Sequence, residues 1–553
     1  MNLRKRGYPA FSLVGALMVF FIITGYCLKD GGNIIWTPVF LVCTLCGSLI
    51  LGTVTGITAF YLFLWILSIY HKHRIQTDSQ LLTGKTYRKT TVFFFSWLFI
   101  FLAWIPCFLA FFPGLCTYDS TIQIYQFLNN TFNDHHPLIH TLLIDLFYQT
   151  GSIIFHSPTV GIALYTIFQM LFLSGAFATG ITLLHYLKAR MRWLILLELY
   201  CCFYPFHMML SISITKDVIF SALFLIQILL VYCFLLKGKN SFKITLMDLG
   251  LLLVSIAMML ARNNGRYVTL VFLALLFIVC IFYKKRRILY SRLLILMTVA
   301  LLISTFFLSL MDTSLNAQSG DKREMLSVPI QQIARTIYYH PDMDPQLLSY
   351  ANTLVVAPGF SDYNPLISDP VKTHFITSAI KNSPGEFLSF YTTLLTRYPG
   401  DFINALLTLD GGYLYFFDTS HAAIYASDNT TGLGYVQTFT SSETLASYNI
   451  TEASLLPGLK QLITSMCNDN FYLKIPVLKY LFTPATWLWA FLFLSAGLFT
   501  LKRKEFLIPL ALIGGYYLTC FLGPTVQLRY IYPVMISFPF IIILLGAHNK
   551  IAE

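Results

Sequence analysis

The sequence predicts an all-α polytopic membrane bundle of about twelve transmembrane helices with a late extracytoplasmic domain. Three observations carry this. Of 553 residues, 56% are hydrophobic, 16% aromatic and only 11% charged, and the mean hydropathy is +0.68. Apolar runs of about 18 or more residues recur along the chain, the length needed to cross a bilayer. The net charge of +12 is gathered in short Lys and Arg clusters between those runs, which is how membrane proteins set their orientation. That charge is therefore no nucleic-acid footprint.

Taken in order, Arg4, Lys5 and Arg6 place the N-terminus in the cytoplasm. The apolar run after them reads as a retained signal anchor, with a first span from Ala10 to Leu28. Ile34 to Tyr70 is too long for one simple span. Two spans there would put His71-Lys72-His73-Arg74 outside, so one long or broken helix is expected. Together with the loop to Lys89 this forms an N-terminal extension, residues 1–90.

Residues 91–311 read as a transmembrane core. Its first span, Thr91 to Phe112, stops at Pro113-Gly114 and delivers an outer loop over 113–157. Within that loop, Asp119 to Asn129 places apolar residues at helical spacing, and Pro137 opens a second helix, Leu138 to Phe155. His140, Asp145 and Gln149 keep this second helix out of lipid. Spans follow at Thr159–Leu187, Trp193–Leu210, Val218–Leu236, Ile244–Leu260, Val268–Tyr283 and Leu293–Met311. Each inward span ends in basic residues, most strongly Lys284-Lys285-Arg286-Arg287. The segment 312–480 is rich in Asp, Asn, Ser, Thr and Pro and has ordinary domain size. Within it, Phe375–Ile380 and Glu386–Thr396 read as helices, and Asp410-Gly411-Gly412 and Asp428–Gly434 as turns. Residues 481–553 add the C-terminal spans at Pro484–Leu501, Phe506–Leu522 and Ile531–Gly546. This alternation leaves both termini in the cytoplasm of a plasma-membrane protein. No internal repeat is visible.

The alternation also collects charged residues at the outer ends of spans: Asp119 and Asp134, Lys216 and Asp217, Arg262 and Arg266, and Arg529. Cations on that side run against the orientation rule and call for a function. Asp119, in Thr117-Tyr118-Asp119-Ser120, fits a helix N-cap and equally a general base. Asp134 is a second carboxylate, followed by His135 and His136 as phosphate or metal ligands. His140 stands one helical turn beyond His136, but no further cluster completes a metal site. No protein-held metal is expected, and a divalent cation arriving with a phosphate is left open. Lys216 and Asp217 can form an ion pair, or Asp217 can cap the helix after it. Arg262, Asn263, Asn264 and Arg266 share one tight turn able to grip a phosphate or a lipid headgroup. Arg529 repeats the theme at the last outer turn. Gln331, Gln332 and Arg335 open the polar segment near the bilayer and can line the same cleft. Cys116 and Cys467 lie outside the apolar runs on one side, where a disulfide is an option. No P-loop, GxGxxG, GxSxG or HExxH signature occurs, which argues against nucleotide-driven chemistry.

The stretches PGLCTYDS, NDHHP, SITKD, RNNGRY, PIQQIAR and QLRYIYP resemble an uncharacterised group of bacterial polytopic membrane proteins. The layout is a span, an acidic outer loop, two short surface helices, further spans and a late outer domain. It resembles the GT-C superfamily of membrane glycosyltransferases, from about Thr91 onward. The resemblance implies a GT-C-like layout and transfer of a sugar from a polyprenyl-phosphate donor to a cell-envelope glycan or protein acceptor, on the outer face and among membrane lipids. It implies Asp119 as the base and Lys216, Arg262, Arg266 and Arg529 as ligands of the donor phosphate, with Asp134, His135 and His136 beside them. Members often carry a DxD or ExD in this loop; here Asp119 has no adjacent second carboxylate. The alternative class is a transporter or flippase of a lipid-linked or anionic solute. Against it stands the lack of repeat-related halves.

Overall fold

Apolar runs in lipid must satisfy every backbone polar group internally, and helices do so. The computed structural model describes residues 2–29, 32–78, 88–238, 241–320, 322–418, 440–468 and 474–547. Among these, eight helices are long and apolar enough to cross a membrane, nine if one bent pair is a single span. The chain is thus an all-α, multi-pass membrane bundle.

Helices α1 (Asn2–Leu28) and α2 (Pro38–Asp78) form an N-terminal hairpin. The long run expected after the first span is indeed one helix, of 41 residues. The hairpin closes on glycine. A Cβ on Gly52 would lie 2.3 Å from the Ala16 Cα, and one on Gly56 would lie 2.3 Å from the Phe11 carbonyl. Only hydrogen fits at either position.

After α3 (Lys89–Ala110) come β1 (Leu115–Cys116), α4 (Tyr118–Asn129), α5 (Leu138–Ile154) and α6 (Pro158–Tyr186). The span expected over Trp193–Leu210 is broken. Helices α7 (Met191–Phe203) and α8 (Pro205–Ile212) meet at 49°. Pro205 lacks an N–H and holds Tyr204 extended, at φ −68° and ψ 117°. Next come β2 (Ser213–Ile214), α9 (Lys216–Lys237), α10 (Leu246–Ala261), α11 (Asn264–Phe282) and α12 (Arg287–Ser314). Helix α9 is at the centre, packed on α6, α10 and the C-terminal helices, with Phe220, Phe224 and Tyr232 in the main core. At the end of α10 away from Arg262, Arg292 grips Asp248 with Nε at 2.9 Å and a terminal nitrogen at 3.0 Å.

The described residues of the polar segment pack in more than one place. Helix α13 (Ser327–Tyr339) and the helices Pro384–Arg397 and Pro399–Leu409 surround a core of Ile330, Ile333, Leu354, Val371 and Leu394. Residues 440–450 instead pack Leu445 and Ile450 against Ile124, Tyr148 and Ile162 of α4, α5 and α6. The turn expected at Asp410-Gly411-Gly412 is the start of a short helix, Gly411–Leu414; the one at Asp428–Gly434 lies outside the described residues. Cys116 is a free, buried thiol and takes part in no disulfide.

Candidate functional site

Strands β1 and β2 form a parallel pair only two residues long, Leu115 opposite Ser213 and Cys116 opposite Ile214. Beyond the pair, both chains repeat the same step: a threonine cap, one residue, then an aspartate in the first helical turn. Thr117 accepts from the Ser120 N–H and caps α4, and Thr215 accepts from the Asp217 N–H and caps α9. Thr117 also donates to the Ile214 carbonyl at 3.0 Å, which locks the two steps together. Helix α6 holds both strands. Thr166 donates to the Pro113 carbonyl at 2.9 Å, and Gln169, one turn on, donates to the carbonyls of Ser211 at 2.9 Å and Ser213 at 2.8 Å. Gly114 is required beneath Thr166: its φ is +128°, and a Cβ there would lie 2.3 Å from the threonine Oγ1. The cap of α4 is therefore Thr117 and not Asp119, whose carboxylate is left for other work. Likewise Asp217 does not cap α9 with its side chain and does not pair with Lys216.

Both carboxylates meet a set of cations from distant parts of the chain. One terminal nitrogen of Arg529 lies 2.9 Å from Asp217 Oδ2 and 3.4 Å from Asp119 Oδ2. Arg262 reaches Asp217 Oδ1 at 2.6 Å, and Lys216 reaches Asp119 Oδ2 at 3.2 Å. Arg262 also donates to the Tyr516 hydroxyl at 2.8 Å, and Arg529 donates from Nε to Gln527. Asp217 is fully buried, whereas Asp119 is 17% exposed. Both cations on Asp119 take Oδ2, so Oδ1 stays open on the exposed side. Burial alone would raise the Asp119 carboxyl, but Lys216 and Arg529 hold it well below the usual carboxylate range.

His136 completes this group. Its Nδ1 lies 2.8 Å from Lys216 Nζ. An ammonium can only donate, so Nδ1 accepts and the proton sits on Nε2. Burial and then the Lys216 charge hold this imidazole well below its usual value, so it is neutral at pH 7. Nε2 is buried and has no hydrogen-bond partner among the described residues. Among the described residues, three cations meet two carboxylates here, beside the spare donor of His136.

The remaining candidates separate into two groups. Asn263 donates to the backbone carbonyls of Asp134 at 3.0 Å and His135 at 3.3 Å, which ties the 134–136 turn to α11. Asp134 accepts from the Gly320 N–H, its backbone N–H donates to the Gln318 carbonyl, and it shares an electrostatic neighbourhood with Arg266 and Asp312. The Arg266 Nε is buried without a partner among the described residues. His135 stacks edge-on to His136. Asn264 opens α11.

Gln331, Gln332 and Arg335 stand elsewhere. Gln331 donates to the Asn364 carbonyl, and Gln332 lies between Phe402 and Tyr391. Arg335 is fully buried, bonded to Asn33 at 2.9 Å and Tyr363 at 3.2 Å, with Asp401 at 3.9 Å. These contacts tie the polar segment to the N-terminal hairpin and not to the Asp119 cluster. His140 also turns away from His136. It bonds Gln123 at 2.9 Å and Tyr165 at 2.7 Å, and Tyr165 leads on to Gln169. Sequence reasoning missed this chain, along with Tyr516, Thr166 and Gln169. Among the described residues, no three His, Cys, Asp or Glu side chains stand together as metal ligands.

A family model described as a family of unknown function, DUF6020, matches residues 128–553, so the match begins within α4, just after Asp119. No curated protein and no solved structure matches the chain.

Proposed function

The chain belongs to the DUF6020 family, whose description assigns no chemistry, and we propose from its site that it is a membrane glycosyltransferase using a polyprenyl-phosphate sugar donor. One observation carries this reading: a buried cluster in which Lys216, Arg262 and Arg529 outnumber Asp119 and Asp217, beside the unpartnered Nε2 of His136. Such a cation-rich cluster, with the His136 donor beside it, suits an anion. A phosphate at the bilayer surface supplies one, and its charge-assisted hydrogen bonds strengthen as the leaving phosphate gains charge.

In the proposed step the acceptor hydroxyl oxygen forms a bond to the anomeric carbon as the carbon–oxygen bond to phosphate breaks. The hydroxyl proton passes to Asp119 Oδ1, and the phosphate leaves with the bond's electron pair, held by Lys216 and Arg529. Donor binding also prepares the base. A phosphate that draws Lys216 and Arg529 toward itself loosens their hold on Asp119 and raises its basicity toward the useful range.

The finer topology belongs to the same proposal. Three apolar helices shorter than a standard span, Leu246–Ala261, Pro484–Thr500 and Phe506–Cys520, cross with the nine longer ones. That gives the twelve-span GT-C-like layout in a plasma membrane, with both termini cytoplasmic and the site outside. The acceptor is a glycan or protein of the cell envelope. The test is Asp119→Asn in lipid-reconstituted protein, assayed with a panel of radiolabelled polyprenyl-phosphate sugars. Transfer or donor hydrolysis by the wild type, lost in the variant while donor binding persists, is the expected result. A wild type that binds no lipid-phosphate sugar overturns the reading in favour of a transporter; full activity in the variant removes Asp119 as the base.

A further inference from the structure

One cavity lies along α4, the helix that carries Asp119, and is used by none of the steps above. A cleft of ≈ 440 Å³ opens between α4 and residues 440–448. Tyr118 and Tyr125 of α4 line one side, 62% and 51% exposed, and Tyr448 stands across from them. Thr121, Thr440 and Thr444 place hydroxyls between the rings. The far wall is fixed at both ends. The Thr440 N–H donates to the Cys116 carbonyl at 3.1 Å, its hydroxyl lies 3.2 Å from that of Thr121, and the Tyr448 carbonyl accepts from Tyr148 at 2.9 Å. Among the described residues, no Lys, Arg, Asp or Glu lines the cleft.

That chemistry narrows the occupant. A phosphate or carboxylate would need a cation, and the described lining has none. A lipid tail would need an aliphatic lining, and Ile122 is the one aliphatic residue among the described lining. Aromatic faces take the C–H face of a sugar ring, while phenol and threonine hydroxyls take its hydroxyl groups. The volume lies in the range of small-ligand pockets, about 300–1,000 Å³. Tyr118 immediately precedes Asp119, so the cleft lies on the helix that carries the proposed base, one step round from Asp119, which does not itself line it. We propose that this cleft binds a neutral oligosaccharide, the acceptor chain, with the tyrosines as stacking platforms. This rests on the transferase reading for its role as acceptor but not for the binding itself.

The test uses the full chain in lipid nanodiscs and a panel of short neutral oligosaccharides (glucans, mannans and N-acetylglucosamine oligomers), with binding read by saturation-transfer NMR. The wild type should bind at least one class. Tyr118→Ala and Tyr125→Ala should each weaken that binding about tenfold, the scale of one lost ring contact. Tyr125→Phe, which keeps the ring, should retain most of it. Wild-type protein that binds no member of the panel, or alanine variants that bind unchanged, overturns the proposal even if lipid-donor turnover is found. Saccharide binding through the tyrosines in a protein that uses no lipid donor overturns the transferase reading alone. A photoreactive phenylalanine at position 125 that captures lipid or protein, and no saccharide, also overturns it.

Discussion

Asp217→Asn separates the roles of the site most sharply. The side chain is fully buried, 2.6 Å from Arg262 and 2.9 Å from Arg529. Asparagine keeps its shape, so what changes is charge: three cations then face one carboxylate. Removing one partner of a buried ion pair costs about 3–5 kcal/mol, because the other charge stays buried and unpaired. The same loss makes the site hungrier for an anion. The wild type is stabilised by the same ligand, so at saturating phosphate the gap narrows by the ratio of the two affinities, about 2.7 kcal/mol for about hundredfold tighter binding by the variant. The assay is thermal unfolding in lipid nanodiscs, with and without farnesyl phosphate as a short polyprenyl phosphate. Without ligand the variant should melt clearly below the wild type. The gap should narrow as the phosphate is titrated, and the variant should bind it more tightly. A variant that melts with the wild type, or that binds the phosphate more weakly, refutes the claim that the cluster suits an anion.

Two further outcomes follow from the same structure. His136 is neutral in the fold because its imidazole is held below its usual value of about 6.5. Its contribution to stability is therefore complete above that pH and is lost as pH falls, at up to about 1.4 kcal/mol per pH unit. Asp119, also depressed, loses its contribution only below the ordinary carboxylate range and adds nothing to this slope. Unfolding followed from pH 7 to 5 should be less pH-dependent in His136→Gln than in the wild type; equal slopes would show that the residue is charged in the fold. In the N-terminal hairpin, Gly52→Val must push the Ala16 backbone away, at a cost of about 1–3 kcal/mol or more. Gly250→Val, where a Cβ meets nothing within 4 Å, should leave the melting temperature nearly unchanged. Equal shifts in the two variants would contradict the glycine seam.

Much of the architecture was legible because its causes are local. Apolar run length gives the helices, and basic clusters divide them. The 41-residue helix α2 and the gathering of Lys216, Asp217, Arg262 and Arg529 at the ends of spans followed from those two signals. The break at Tyr204 was missed, because Trp193–Leu210 was read as one span, although Pro205 marks it by pushing the residue before it out of the helical region. What escaped depends on distance or brevity. Asp119 and Arg529 are 410 residues apart, and no local pattern records that contact. Arg335, with no charged partner nearby in sequence, finds Asn33 and the N-terminal hairpin instead. Asp119 was a fair cap by residue type, but the neighbouring Thr117 took that role with Ser120 as its reciprocal partner. The two threonine-to-aspartate steps share too few letters to stand out as a repeat, and only the strand pairing puts them in step.

That pairing behaves like a two-tooth gear. Its teeth can change material, because the strands hold each other through backbone groups and Gln169 and Thr166 also grip carbonyls. They cannot change number. One residue gained or lost between Leu115 and Asp119, or between Ser213 and Asp217, turns the aspartate by about 100° around its helix and carries it off Arg529. The strand residues are thus free in spelling, Thr117 and Thr215 are held by their own side-chain bonds, and the whole stretch is fixed in length.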